Sequence, residues 1–201
     1  MNTVPANRVW YPRAGPVRGE GRFVLYWMTV NRRARWNFAF DYAVDCCREL
    51  RRPLVVLETL EGGRRWSSER HHQFVIEGMR INAEQLRTTS ALYYPYLANR
   101  PAQVKDLLAS LGRHACLIVC DDASLHEQSL SPDELVDVLP VSLVAVDSVG
   151  LLPMRLAERA YPTAYAFRRF VQRVLPGELL TMPRANPLSR VELPSAEPLP
   201  G

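Results

Sequence analysis

Phe23-Val24-Leu25-Tyr26-Trp27-Met28 is six apolar or aromatic residues in a row. A strand with one face in water alternates apolar and polar side chains, whereas an unbroken run suits a strand covered on both faces, as in a parallel sheet flanked by helices. Runs of the same kind recur outward from it. Leu54-Val55-Val56-Leu57 carries Glu58 and Thr59 at its carboxyl end, and Ala91-Leu92-Tyr93-Tyr94 is ended by Pro95. Cys116-Leu117-Ile118-Val119-Cys120 delivers Asp121-Asp122, and the run from Val141 to Val146 delivers Asp147.

Between these runs the apolar spacing changes to that of helices. Trp36, Phe40, Ala43, Cys47 and Leu50 recur at steps of four, three, four and three, which predicts one buried helical stripe stopped before Pro53. Ser67 or Ser68 caps a second helix running to about Arg87, with Phe74, Val75, Gly78, Ile81 and Leu86 facing inward. A third runs from Gln103 to Leu111 and stops at Gly112, and Ser131-Pro132-Asp133-Glu134 forms a capping box ahead of Leu135 to Leu139. Right-handed crossovers then give an α/β fold: a doubly wound, five-stranded parallel sheet, Rossmann-like, ordered 3-2-1-4-5, with helices on both faces. The flanks read differently. Residues 1–21 form a basic arm rich in Pro, Gly and Arg, 22–150 the α/β domain, 151–175 a helical extension with a helix from about Ala164 to Val174, and 176–201 a linker or tail with six prolines.

The chain has 201 residues, enough for one well-buried domain and not for two catalytic ones. No apolar run reaches the roughly 20 residues that span a bilayer, and the start MNTVPANRVWYPR has no apolar signal core. Net charge is +4, and Lys105 is the only lysine among 25 cations. By segment, residues 1–70 carry +6, 71–150 carry −5 and 151–201 carry +3. Basic ends suit a polyanionic partner, though a solvated arginine face gives the same count. The four cysteines, Cys46-Cys47 and Cys116 with Cys120, do not make a disulfide framework, and point to buried thiols in a reducing, cytoplasmic setting. On one strand, Cys116 and Cys120 are expected on the same face. His71-His72 point about 100° apart on a helix, so no metal site is expected there.

In such a sheet ligands bind beyond the carboxyl ends of the strands, where the strand order reverses. That nominates Met28 to Arg32, Glu58 to Leu60 and Asp121 to Leu125, with Met28, Asn31, Arg32, Glu58 and Asp121 as the lining. The turn Thr29-Val30-Asn31-Arg32-Arg33-Ala34-Arg35 has no glycine, which excludes the dinucleotide fingerprint, and neither a Walker loop nor a Gly-x-Ser-x-Gly elbow occurs elsewhere. Asp121-Asp122 reads as a strand-end cap, and Ser124 and His126 lack an acid placed for a triad. Asn31 and Arg32 have a second reading as a cap of the following helix or a support for an interdomain contact.

Several blocks in order resemble the N-terminal domain of DNA photolyases and cryptochromes, closest to class II deoxyribodipyrimidine photolyases. They are the run from Val24 through Asn31-Arg32-Arg33 to Ala39, Arg51 to Glu58, Arg65 to Val75, Ala145 to Met154 and Tyr161 to Phe170. The resemblance covers residues 22 to about 190. It departs between Asp121 and Ser131, where an aromatic, proline-containing stretch is expected. The resemblance implies a family of carbon–carbon lyases, in which an α/β domain holding an antenna chromophore (a deazaflavin, flavin or folate) precedes a helical FAD domain that repairs cyclobutane pyrimidine dimers in DNA by light. That helical domain, the expected partner, is expected to be missing here or separately encoded. It follows that no catalytic residue transfers to this chain, that damaged DNA is met only through the partner, and that the five crevice residues are expected to line the antenna pocket. Trp27, Trp36 and Trp66 are expected to pack, not to relay electrons. Two rival readings remain: a stand-alone small-ligand or nucleotide-binding module of the same fold, and a non-catalytic interaction domain whose exposed basic edge docks a partner. Whether a homo-oligomer forms, with a second copy of the chain over the face that would meet the missing domain, is left open by the sequence.

Overall fold

The computed structural model describes residues 3–62, 68–122, 130, 132–197 and 199. Among the described residues six strands form one sheet: β1 (Val9–Arg13), β2 (Phe23–Met28), β3 (Leu54–Glu61), β4 (Leu92–Ala98), β5 (Ala115–Asp121) and β6 (Leu143–Val146). Their order is β1-β6-β5-β2-β3-β4. The five strands from β2 to β6 pair in parallel in the expected order, and β1 adds a sixth, antiparallel, beside β6. The expected count of five fails because the first strand lies in the arm, where Val9-Trp10-Tyr11-Pro12-Arg13 is half-exposed and carries a proline, both features of an edge strand.

Every residue of β2 is buried, and its two faces divide the core. Val24, Tyr26 and Met28 pack with Phe38, Phe40, Ala43 and Cys47 of α1 (Phe38–Leu50) and with Leu86 of α2 (Glu69–Leu86). Phe23, Leu25 and Trp27 pack on the other side with Val104, Leu108 and Leu111 of α3 (Pro101–Gly112) and Leu135 of α4 (Pro132–Leu135). Burial of each large side chain contributes roughly 1.5–3 kcal/mol.

Four local expectations are corrected. β3 runs on through Glu58 and Thr59 because its pairing with β4 extends to Glu61 and Ala98. β4 passes through Pro95 because it is the other edge of the sheet, where half of the backbone donors lie outside the ladder. Cys116 and Cys120 enter opposite cores, because Phe23 and Leu25 pair with Ala115 and Ile118: one extra residue in β5 flips the alternation. The bulge is crowded, since a Cβ on Gly21 would lie 2.5 Å from the Cys116 nitrogen, a separation only glycine permits. On α2 the inward residues are Val75, Asn82 and Leu86, while Phe74 and Ile81 are 75% and 58% exposed.

The helix caps follow local chemistry. Asn37 caps α1, its Oδ1 accepting from the Ala39 and Phe40 amides at 2.9 and 3.1 Å. Ser68 caps α2 and Thr163 caps α5 (Ala164–Glu178). Ser131 of the expected capping box, the Trp66 loop and Ser124 with His126 fall outside the described residues. The tail does not behave as a free linker where it is described: Leu193 is buried, and Leu188 and Val191 pack beside it against the α1 core. Arg184 anchors it, donating its backbone amide to Asp41 Oδ2 at 2.8 Å and its guanidinium to the Asp41 carbonyl at 2.7 Å.

Candidate functional site

The carboxyl ends of β2, β3 and β5 converge below the turn from Thr29 to Asn37. Asp121, 1% exposed at the end of β5, turns its carboxylate into that turn. Oδ2 accepts the backbone amides of Thr29, Val30 and Asn31 at 2.9, 2.8 and 3.1 Å, and Oδ1 accepts the Tyr26 hydroxyl at 2.8 Å. Three successive amides aimed at one oxygen form an anion nest, the device that cradles phosphates in other α/β proteins. Here the chain fills it with its own carboxylate. Asn37 locks the turn from the opposite side, donating Nδ2 to the Tyr26 hydroxyl oxygen and to the carbonyls of Asn31 and Arg33. Burial, then the Asp121 charge, push the Tyr26 hydroxyl well above its ordinary pKa, so it remains a proton donor.

A second closed network lies beside the first. Glu58 is fully buried, and its carboxylate accepts Arg32 Nη1 at 3.1 Å, Asn82 Nδ2 at 2.9 Å and the Tyr93 hydroxyl at 2.7 Å. Arg32 also donates to the Thr59 carbonyl at 2.7 Å. Asn82 reaches back to the Arg32 carbonyl at 3.3 Å and to the Met28 sulfur at 3.6 Å. Burial, then the bond to Glu58, push the Tyr93 hydroxyl up as well. Asp122 does a separate job, accepting Arg155 Nε at 3.0 Å while that guanidinium sits 3.7 Å from the centre of the Trp10 ring; burial raises the Asp122 pKa against the Arg155 charge.

The five nominated residues are therefore brought together, but as partners of one another. Met28 and Glu58 have no exposed surface and Asp121 almost none, which leaves Asn31 and Arg32, both half-buried, as the ones a ligand can touch. Asn31 Nδ2 is a buried donor without a partner among the described residues. A pyrophosphate does not fit this crest, because its amides already hold Asp121. Among the described residues, no group of three or more His, Cys, Asp or Glu is arranged to hold a metal ion.

A groove of about 290 Å³ opens beside the crest, lined by Trp36 and Phe38, by the residues from Ser148 to Leu151 and by Leu179, Met182 and Pro183. Arg8, 2% exposed, holds its floor: Nη1 donates to the carbonyls of Asp147 and Gly150, Nη2 to that of Leu151, and the guanidinium lies 4.5 Å from the Phe38 ring centre. Trp36 does not begin the α1 stripe as expected. It precedes the Asn37 cap with φ at 51°, a left-handed conformation costly for a large side chain, and the residue is 47% exposed at the groove. Val149, Leu151, Leu179 and Met182 line the same groove at 52–71% exposure. Sequence reasoning missed Asn37, Asn82 and Tyr93 of the networks and Arg8 of the groove. The Asn37 cap was readable from its place one residue ahead of the apolar stripe; Arg8 gave no signal, being one arginine among many in the arm.

No family model matches the chain. It is 29% identical over 138 residues to a deoxyribodipyrimidine photo-lyase of Methanothermobacter thermautotrophicus, covering 69% of this chain and 30% of that protein. It is 25% identical over 167 residues to a deoxyribodipyrimidine photo-lyase of Arabidopsis thaliana, covering 82% and 33%. The chain thus spans about a third of the length of the curated relatives it matches. Similar solved structures include a universal stress protein from Lactobacillus plantarum, with a TM-score of 0.42 and 14% identity over 62% of this chain and 98% of that one. Another is the Archaeoglobus fulgidus universal stress protein in complex with dAMP, at 0.43 and 15% over 63% and 99%.

Proposed function

We propose that these residues form the α/β part of a class II-like deoxyribodipyrimidine photolyase, a module that supports light-dependent repair of pyrimidine dimers without performing the bond cleavage itself. The observation that carries this reading is the ordered similarity to two photo-lyases over 69% and 82% of the chain. The closed crest supports it. A photolyase flavin supplies an electron on illumination, and the crest, its amides held by Asp121, has no room for that dinucleotide. The reading therefore assigns the flavin and the flipped lesion to a helical partner domain. The apolar groove at Trp36, Val149, Leu151, Leu179 and Met182 is the face offered to that domain. An antenna chromophore, a deazaflavin, flavin or folate, would touch this chain through Asn31 and Arg32. The rival reading, a nucleotide-binding module, requires a phosphate to displace Asp121 from the nest.

The test combines the purified chain with the helical flavin domain of the Methanothermobacter relative and follows splitting of a thymine dimer in an oligonucleotide under blue light. The reading expects no splitting by the chain alone, binding to the flavin domain, and loss of that binding on Trp36→Ala. Splitting by the chain alone overturns it, as does failure to bind the flavin domain.

A further inference from the structure

The basic carboxyl-terminal third has a definite location. Between residues 156–162 and α5 lies a groove of about 950 Å³, lined by Arg159, Arg169, Arg173, Tyr161 and Phe170, with Glu158 as the one acid in its lining. The stretch from Arg155 to Arg173 holds five arginines and that single glutamate. Some arginines are held by acids, Arg32 by Glu58 and Arg184 by Asp41 and Asp45, and within this stretch Arg155 is held by Asp122. Arg159, Arg168, Arg169 and Arg173 are exposed, and none forms an ion pair with another described residue.

Aromatic rings are interleaved with these charges. Tyr161 stacks on Phe170 with ring centres 5.0 Å apart and planes 31° from parallel, and Phe167 joins them at 5.5 Å from Tyr161. Tyr165 and Phe167 are 67% and 44% exposed. The Arg159 and Arg169 guanidiniums lie 5.9 and 6.0 Å from the Tyr161 and Tyr165 ring centres. The hydrophobic effect opposes rings left in water on a helix whose neighbours are cations, unless a partner brings both flat apolar faces and negative charge. Unpaired bases on a phosphate backbone bring both, and a duplex, whose bases are stacked inside, does not. The charges are spread along the groove and not gathered at one point, as a strand requires and a single phosphate does not.

We infer that the α5 groove and the helix surface flanking it bind single-stranded nucleic acid by themselves, without a lesion and without a flavin domain, through Arg159, Arg169 and Arg173 of the groove on phosphates and the exposed Tyr165 and Phe167 beside it under bases. This does not rest on the photolyase reading. The test is fluorescence anisotropy of a labelled oligothymidylate titrated with the full chain. Three phosphate contacts predict a log–log salt slope of about −2, reduced by about 0.7 in each of Arg169→Gln and Arg173→Gln. Tyr165→Ala weakens binding at least about fivefold with an unchanged slope. All three positions are exposed, so the variants keep the parent's melting temperature as a control of folding. Equal affinity for a duplex of the same length, displacement by AMP or by polyglutamate at matched phosphate or charge, or α5 variants that bind as the parent does would each overturn the inference.

Discussion

The crest of the sheet and the face of α5 treat charge in opposite ways. At the crest Asp121 and Glu58 are buried, and each accepts at least three hydrogen bonds from its own chain. Along α5 the arginines stand in water beside exposed rings. An internally satisfied buried network fixes a conformation, and breaking it is costly because the orphaned partners stay buried. An unsatisfied exposed face contributes little to stability and is free to meet a partner. The place where the topology of the fold puts a ligand is thus the most closed part of this molecule, and the open part lies outside the sheet.

The largest expected effect breaks the first half of that contrast. Asp121→Ala leaves the Tyr26 hydroxyl and three amides without an acceptor, and urea unfolding should show a loss of about 3–5 kcal/mol. If the loss is under about 1 kcal/mol, the nest is not what holds the turn. Glu58→Ala should follow at about 3 kcal/mol, since it removes the acceptor of the Tyr93 hydroxyl, leaves Asn82 only its longer contacts to the Arg32 carbonyl and the Met28 sulfur, and unpairs a partly exposed Arg32.

A smaller effect appears with pH, at the strap between tail and helix. Burial raises the Asp41 carboxyl from an ordinary 3.8 to about 6, against the opposing pull of Arg184. The folded state therefore holds a proton between 3.8 and about 6 that the unfolded chain has released, so this group's contribution to stability falls as pH rises through that interval. Asp41→Asn should flatten that part of the melting-temperature profile; a profile as steep as the parent's would remove Asp41 as its source. The smallest effect belongs to α5, where Arg168→Gln and Arg173→Gln should change unfolding free energy by less than about 0.5 kcal/mol.

Much of the sheet was legible because unbroken apolar runs at β2, β3, β5 and β6 have few other uses, and the five parallel strands take the expected order. β1 was not legible, since an edge strand that is half in water needs no apolar run. The bulge in β5 escaped as well. It is set by the close approach of Gly21, a contact between residues nearly a hundred positions apart, and it reversed the faces of Cys116 and Cys120. For the site, the rule that ligands lie beyond strand ends named five residues that do converge. What sequence could not supply is that Asp121 points at amides from its own chain, because that depends on the path of a turn without glycine. The phase of α2 misled for a related reason: Phe74 and Ile81 are apolar, yet the buried position goes to Asn82, which is needed by Glu58.

The contrast between crest and groove is tested most directly by following backbone amide resonances of the full chain while adding, in turn, an oligothymidylate and ATP. With the oligothymidylate, shifts should be confined to the stretch from Arg159 to Arg173, and the Thr29, Val30 and Asn31 amides should be unchanged with either ligand. Shifts of those three amides on adding ATP, with the α5 resonances still, would contradict it.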